Sequence, residues 1–190
     1  MDIILASTSP YRKRLLDRLQ LPFDCVAPQV HETALPRETP RALAQRLALA
    51  KADAVAHSYP QALVIGSDQT AATAEALLTK PGNFDNAFQQ LRQCSDKSIT
   101  FYTGLAVVCR DRRIQSVEVE PFEVRFRALS DQEIRRYLRA ESPYDCAGSF
   151  KVEGLGITLF EGLYGRDPTS LEGLPLIRLA ATLRRHGFKI

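Results

Sequence analysis

Ser9, Arg12, Lys13 and Arg14 sit where a short apolar run, Ile3-Ile4-Leu5-Ala6, passes through the hydroxyl-rich turn Ser7-Thr8-Ser9 into a helix opening at Pro10. Proline suits a first helical turn because its missing N–H would have no partner there, and Ser9 is then the expected N-cap. The free donors and positive dipole end of such a helix suit a phosphate. Cations in the first turn oppose that dipole unless an anion sits against it, so a bound polyphosphate would relieve a local penalty. A capped surface helix with solvated basic residues satisfies the same pattern.

Three further features extend the phosphate reading. Asp68 ends a nearly continuous apolar run, Ala62-Leu63-Val64-Ile65-Gly66, of the kind buried on both faces of a sheet. Ligands of open α/β sheets bind at such strand ends. Lys51 and Lys80 are isolated cations beside predicted structure, and Glu32 is a second carboxylate in a loop. Polyphosphate hydrolysis needs this inventory: cations on the phosphates, a carboxylate to activate water, and a divalent metal held by carboxylates. Singly, a loop glutamate is ordinary surface and a strand-end aspartate an ordinary turn former, so the argument rests on the combination.

The elements that must position these residues read as an α/β chain. Phe23–Ala27 predicts a strand; Pro28 and Pro36 bracket a loop. Thr39-Pro40 opens a helix to about Ala56, with Leu43, Leu47, Ala50 and Ala54 at helical spacing and Lys51 in its later half. A brief amphipathic helix spans Asp85–Gln93, and Ile99–Cys109 and Ile114–Phe126 form an antiparallel hairpin turning near Asp111-Arg112-Arg113. Ser130-Asp131-Gln132-Glu133 is a capping box for a helix through about Ala140, Ala147–Gly156 is a glycine-rich loop, and a last helix after Gly173-Leu174-Pro175 ends at Gly187. The first helix is expected to end near Gln20.

Composition narrows the class. The chain has 190 residues, 45% of them hydrophobic and 25% charged, which is ordinary for one globular unit and excludes disorder or a fibre. A net charge of +3 is too mild for a dedicated nucleic-acid binder. No apolar run approaches a membrane span and no basic leader precedes the first strand, so a cytoplasmic location is expected. Cys25, Cys94, Cys109 and Cys146 lack a CxxC pair and read as buried free thiols, and with His31, His57 and His186 they form no zinc-type cluster.

Taken in order, Ser7-Thr8-Ser9-Pro10-Tyr11-Arg12-Lys13, His31-Glu32-Thr33, Leu49-Ala50-Lys51-Ala52, Gly66-Ser67-Asp68-Gln69, Lys80-Pro81, Ala147-Gly148-Ser149-Phe150, Arg166-Asp167-Pro168 and Gly173-Leu174-Pro175-Leu176 resemble the Maf family of nucleoside triphosphate pyrophosphatases over essentially the whole chain. The resemblance implies an α/β fold, a single Maf/ITPase-like domain over residues 1–190 with a mixed twisted sheet, two lobes and a central cleft. It implies cleavage of a nucleoside triphosphate to the monophosphate and diphosphate with a divalent cation, Mg2+ or Mn2+. Asp68 matches the proton acceptor and Glu32 the other active-site acid, the two being the expected metal ligands. Ser9, Arg12, Lys13, Lys51 and Lys80 match the substrate-binding set.

Tyr11, Gln69 and Glu153 stand at the positions that distinguish subgroups, and aromatic, Gln and Glu resemble the 7-methyl-GTP-specific one, where dTTP and UTP hydrolases carry Arg, Thr and Gln. Methylation at N7 makes guanine cationic, so an aromatic face attracts it and a carboxylate accepts from its N–H edge. The expected partner is a small-molecule nucleotide, with neither nucleic acid nor membrane and with room for a homodimer. The alternatives are a dTTP/UTP-type pyrophosphatase and a non-catalytic nucleotide-binding regulator, the latter disfavoured by Asp68, Glu32 and Lys80.

Overall fold

Period-two alternation of apolar residues on adjacent strands sets the architecture. The computed structural model describes residues 1–73 and 76–190. In it, β1 (Ile3–Ala6) is paired in parallel with β2 (Asp24–Cys25) and with β3 (Leu63–Ala72), in the register Ile3↔Leu63 to Ala6↔Gly66. The order is β2-β1-β3-β5-β6-β7, with β5 at Ser98–Cys109, β6 at Ile114–Phe126 and β7 at Phe160–Tyr164, and β4 (Leu77–Leu78) joins β3. β4 pairs antiparallel with β3 and β7 antiparallel with β6, so the sheet of seven strands among the described residues is mixed and the α/β class expected from the sequence is met. Residues 110–113 join β5 to β6, a connection too short for anything but a hairpin.

The chain divides into two compact units: residues Met1–Gln69, Tyr102–Glu120 and Asp167–Ile190, and residues Thr70–Phe101 and Pro121–Arg166. In the first unit, Ile3, Leu5, Leu63, Ile65, Leu105 and Val107 share one core with Leu15 and Leu16 of helix α1 (Pro10–Asp17) and with Leu176, Leu179 and Leu183 of α6 (Leu176–Arg185). The alternate residues Ile4, Ala6, Val64, Ala106 and Val108 share another with Ala48, Ala52, Val55 and Ala56 of α2 (Pro40–Ala56). Both faces of these strands are thus covered, each fully buried Leu or Ile contributing about 1.5–3 kcal/mol.

The small residues on α2 have a geometric purpose. A Cβ on Gly66 would collide with the Ala48 carbonyl oxygen and lie 2.7 Å from the Ala52 amide nitrogen. Helix and strand therefore meet backbone to backbone. The buried stripe of α2 is Leu43, Ala44, Leu47, Ala48, Lys51, Ala52, Val55 and Ala56. Ala50 and Ala54, expected in the stripe, are only half-buried, and Lys51 takes a stripe position instead.

In the second unit, Phe101, Phe126, Phe150 and Phe160 pack edge to face, with ring centroids 4.8–5.7 Å apart. Helices α3 (Phe84–Cys94) and α4 (Asp131–Glu141) pack together, α4 opening on the capping box predicted at Ser130 and Glu133.

Several expectations are corrected. The apolar run before Asp68 does not end there: β3 continues to Ala72, where β4 pairs with Ala71 and Ala72, so Asp68 lies within the strand. Its polar residues find partners there, Ser67 donating to the Gly104 and Gly173 carbonyls. Helix α1 stops at Asp17, the chain passing through a positive φ of 55° at Gln20 toward the extended conformation required before Pro22. The predicted strand over 23–27 shrinks to two residues. Cys94 and Cys109 are buried, whereas Cys25 is exposed and Cys146 half-buried. β7, the turn of helix α5 (Pro168–Leu171) and a 3-10 turn at Leu155–Leu159 had not been expected.

Candidate active site

The parallel strand β1 ends at Ala6, and the chain crosses Ser7 to Ser9 into α1 through local hydrogen bonds. Ser9 N–H donates to Ser7 Oγ at 3.1 Å, and Ser9 Oγ, the N-cap, accepts from Arg12 N–H at 3.4 Å. This fixes where Arg12 leaves the helix. Its Nε donates to the Gly173 carbonyl at 2.9 Å, and Gly173 adopts φ +113°, a conformation that favours glycine. Burial draws the Arg12 guanidinium below its ordinary pKa, while the charges of Asp68 and Glu32 pull it back up. Lys13 pairs with Asp17 at 3.0 Å, both side chains being exposed. The Arg14 guanidinium lies 5.1 Å from the Tyr11 ring centroid, so this face already attracts a cation.

Because Lys51 falls in the buried stripe of α2, its ammonium is carried to the sheet rather than to solvent. It meets Asp68 Oδ1 at 2.6 Å and Glu32 Oε1 at 2.7 Å. Lys51 and Asp68 are 6% and 8% exposed, while the Glu32 side chain remains open to solvent. One buried ammonium thus joins two carboxylates that are 36 residues apart in sequence, and the proximity of Arg12 to the same two acids adds a second cation. The loop bearing Glu32 is tied down by Arg46 of α2, which donates to both oxygens of Glu38 at 2.7 and 2.8 Å and to the Thr33 carbonyl at 3.0 Å. That hydrogen bonding, with the Leu35 N–H, lowers Glu38 to about 2.

Gln69 is anchored on the other side of the strand. Its Nε2 donates to Thr103 Oγ1 at 3.0 Å and to the Ser170 and Leu171 carbonyls at 2.8 and 3.1 Å. The segment supplying those carbonyls is built around buried Asp167. Its Oδ1 accepts from Thr169 N–H and Oγ1–H, and its Oδ2 from Ile177 N–H at 2.7 Å, closing the uncapped start of α6.

Lys80 and Glu153 lie in the second unit, both exposed. The Lys80 loop is held by α3, where Asn86 Nδ2 donates to the Pro81 carbonyl and Gln90 Nε2 to the Thr79 carbonyl. Glu153 follows Lys151, whose backbone N–H donates to Tyr137 Oη at 3.0 Å. The structure therefore brings Glu32, Lys51, Asp68 and Arg12 together, with Ser9 and Gln69 attached through their neighbours. Sequence reasoning missed Arg46, Glu38 and Thr103, and it quoted Arg166-Asp167-Pro168 without giving Asp167 a role. Asp167-Pro168 was a readable helix-start signal and Thr103 a polar break in an apolar strand, but the partner of Arg46 had no local signature.

A family model described as Maf-like protein matches residues 2–186. The chain is 55% identical over 188 residues to the 7-methyl-GTP pyrophosphatase of Colwellia psychrerythraea, a match spanning 99% of this chain and 94% of that protein. It is 51% identical over 189 residues to the protein of the same name from Pseudomonas syringae pv. tomato, spanning 100% and 98%. Among solved structures, the Staphylococcus aureus Ham1 protein superposes with a TM-score of 0.58 at 13% identity, over 98% of this chain and the whole of that one, a likeness of fold alone. With the family model running nearly end to end and relatives more than half identical along the same span, this chain belongs to the Maf family.

Proposed function

We propose that this protein hydrolyses 7-methyl-GTP to 7-methyl-GMP and diphosphate. The observation that carries the reading is the buried Lys51 ammonium held between Asp68 and Glu32, with Arg12 beside them. It is supported by relatives named 7-methyl-GTP pyrophosphatase. A buried carboxylate fixed by an ammonium on one oxygen presents the other in a defined direction. Asp68 Oδ1 is engaged by Lys51, so Oδ2 takes the proton of the water that attacks the α-phosphorus. Arg12, its Nε committed to Gly173, offers its terminal nitrogens to phosphate oxygens, and Ser9 stabilises the turn that holds it. Lys13 and Lys80 complete the phosphate-binding set of this reading.

Glu32 and Asp68 are hard oxygen donors on one cation and fit a divalent metal. Among the described residues no group of three His, Cys, Asp or Glu side chains gathers, so the remaining ligands would be phosphate and water, as for Mg2+ that arrives with its nucleotide. When bound, such a cation would neutralise charge gathering on the departing diphosphate. Tyr11, Gln69 and Glu153 choose the base in this reading, Tyr11 through its face and Glu153 through its carboxylate. No helix among the described residues is long and apolar enough to cross a membrane, and the same proposal places the enzyme in the cytoplasm.

The test is a panel of plain and methylated nucleoside triphosphates, run in 18O-water with the products identified. The wild type should prefer 7-methyl-GTP and place the label in the monophosphate. Asp68→Asn, which keeps size but removes the base, should bind nucleotide and lose turnover by at least about a hundredfold. Full activity in that variant would sink the assignment.

A further inference from the structure

We propose that Lys51 keeps a divalent cation off the Asp68–Glu32 pair until a nucleotide arrives. The metal then enters only together with phosphates that give the displaced ammonium a new partner. The inference rests on the reading of this site as one of metal-assisted nucleotide hydrolysis, and it names the order in which the site fills.

Two carboxylates stay side by side when a cation lies between them, and here that cation is a side chain. Lys51 Nζ is 2.6 Å from Asp68 Oδ1 and 2.7 Å from Glu32 Oε1. A Mg2+ ion on those two oxygens would lie about 2.0–2.1 Å from each, in space that the ammonium already fills. The charges agree with the geometry. Asp68 and Glu32 carry two negative charges and Lys51 and the neighbouring Arg12 two positive ones, so the group sums to zero and offers a divalent ion no net attraction.

Displacement of the ammonium is opposed a second time by its burial. Lys51 is 6% exposed on the buried stripe of α2, so pushing it off both acids strands a charge with little water to receive it. A bare metal ion supplies no new partner, and Mg2+ sheds its own water reluctantly. A metal bound to a triphosphate arrives with anionic oxygens that the ammonium can meet. Asp68 Oδ1 then exchanges one cation for another, and Oδ2 stays available to water. Such coupling is reciprocal: nucleotide strengthens metal binding by the factor with which metal strengthens nucleotide binding.

The experiment titrates Mn2+, which suits the same oxygen donors, into nucleotide-free protein and follows the free ion by electron paramagnetic resonance. The wild type should bind it no more tightly than about 1 mM, the weak end for carboxylate sites. Lys51→Met should tighten binding at least about tenfold, and Asp68→Asn added to it should cancel the gain. Arg12→Met removes the same charge without freeing either oxygen, and should tighten binding less. One ion held more tightly than that limit by the wild type, and lost in Asp68→Asn, would overturn the proposal without recourse to any Lys51 variant. So would a Lys51→Met protein, folded by circular dichroism, that binds Mn2+ as weakly as the wild type. An equal gain from Arg12→Met would also overturn it, since net charge rather than the place of Lys51 would then be the cause. Tight binding by the wild type would leave the assigned hydrolysis untouched, whereas hydrolysis that needs no metal would overturn the metal reading and this inference with it.

Discussion

A lysine on the apolar stripe of a helix is costly unless its ammonium finds a partner, and Lys51 finds two. Asp68 is in the same position: buried, and dependent on Lys51 at 2.6 Å. Breaking such a pair from one side strands the other charge, at about 3–5 kcal/mol, while replacing both by apolar groups is often neutral or better. Lys51→Met should therefore lower the urea midpoint strongly, and Lys51→Met combined with Asp68→Leu should recover most of the loss while remaining inactive. If the double variant were as unstable as the sum of its parts, the pair would not be the reason these residues tolerate burial. The same logic separates stability from activity at this site: on the proposed reading, the charges are kept for what they do to a nucleotide, not for the fold.

At the scale of elements, the loop that carries Glu32 has little core of its own and depends on α2. Glu38 accepts from Arg46 and from the Leu35 N–H, and its pKa falls from 4.5 to about 2. A carboxylate depressed on folding adds stability that is complete above its ordinary pKa and disappears as pH falls toward the folded one. The wild type should thus melt above Glu38→Gln at neutral pH, with the gap closing between about pH 4.5 and 2. A gap in melting temperature independent of pH would mean that the strap works by shape rather than charge. Glu38 and Arg46 also show where reading a sequence stops. Pro40, Thr39 and the spacing of Leu43 and Leu47 announced α2 without help, because caps and periodicity are local. That Arg46 reaches back over Glu38 to the Thr33 carbonyl is a tertiary fact with no local trace. Asp68 illustrates the intermediate case. Its apolar approach was legible, but the continuation of β3 through polar Ser67 and Thr70 depended on Gly104 and Gly173, distant in the chain, and on pairing with the two-residue strand β4.

For the whole molecule, the sheet order and the two cores account for the fold and leave the substrate undetermined, since one fold serves many chemistries. On the proposed reading, discrimination between bases resides in few side chains, because any nucleoside triphosphate would satisfy the phosphate-binding set of Ser9, Arg12, Lys13, Lys51 and Lys80. Tyr11, Gln69 and Glu153 are proposed as one set, so all three are exchanged together. Changing Tyr11→Arg, Gln69→Thr and Glu153→Gln together removes an aromatic face, an anchored amide and a carboxylate suited to a cationic purine. It supplies groups suited to a neutral pyrimidine. Loss of one charge-assisted contact costs roughly 1.5–3 kcal/mol, about ten- to a hundredfold in kcat/KM for 7-methyl-GTP. The ratio of 7-methyl-GTP to dTTP or UTP should fall by at least that factor, while Asp68 and Lys51 keep turnover of the newly preferred substrate measurable. Retention of the original ranking by the triple variant would place base selection elsewhere in the chain, and would leave the phosphate chemistry at Asp68 standing on its own test.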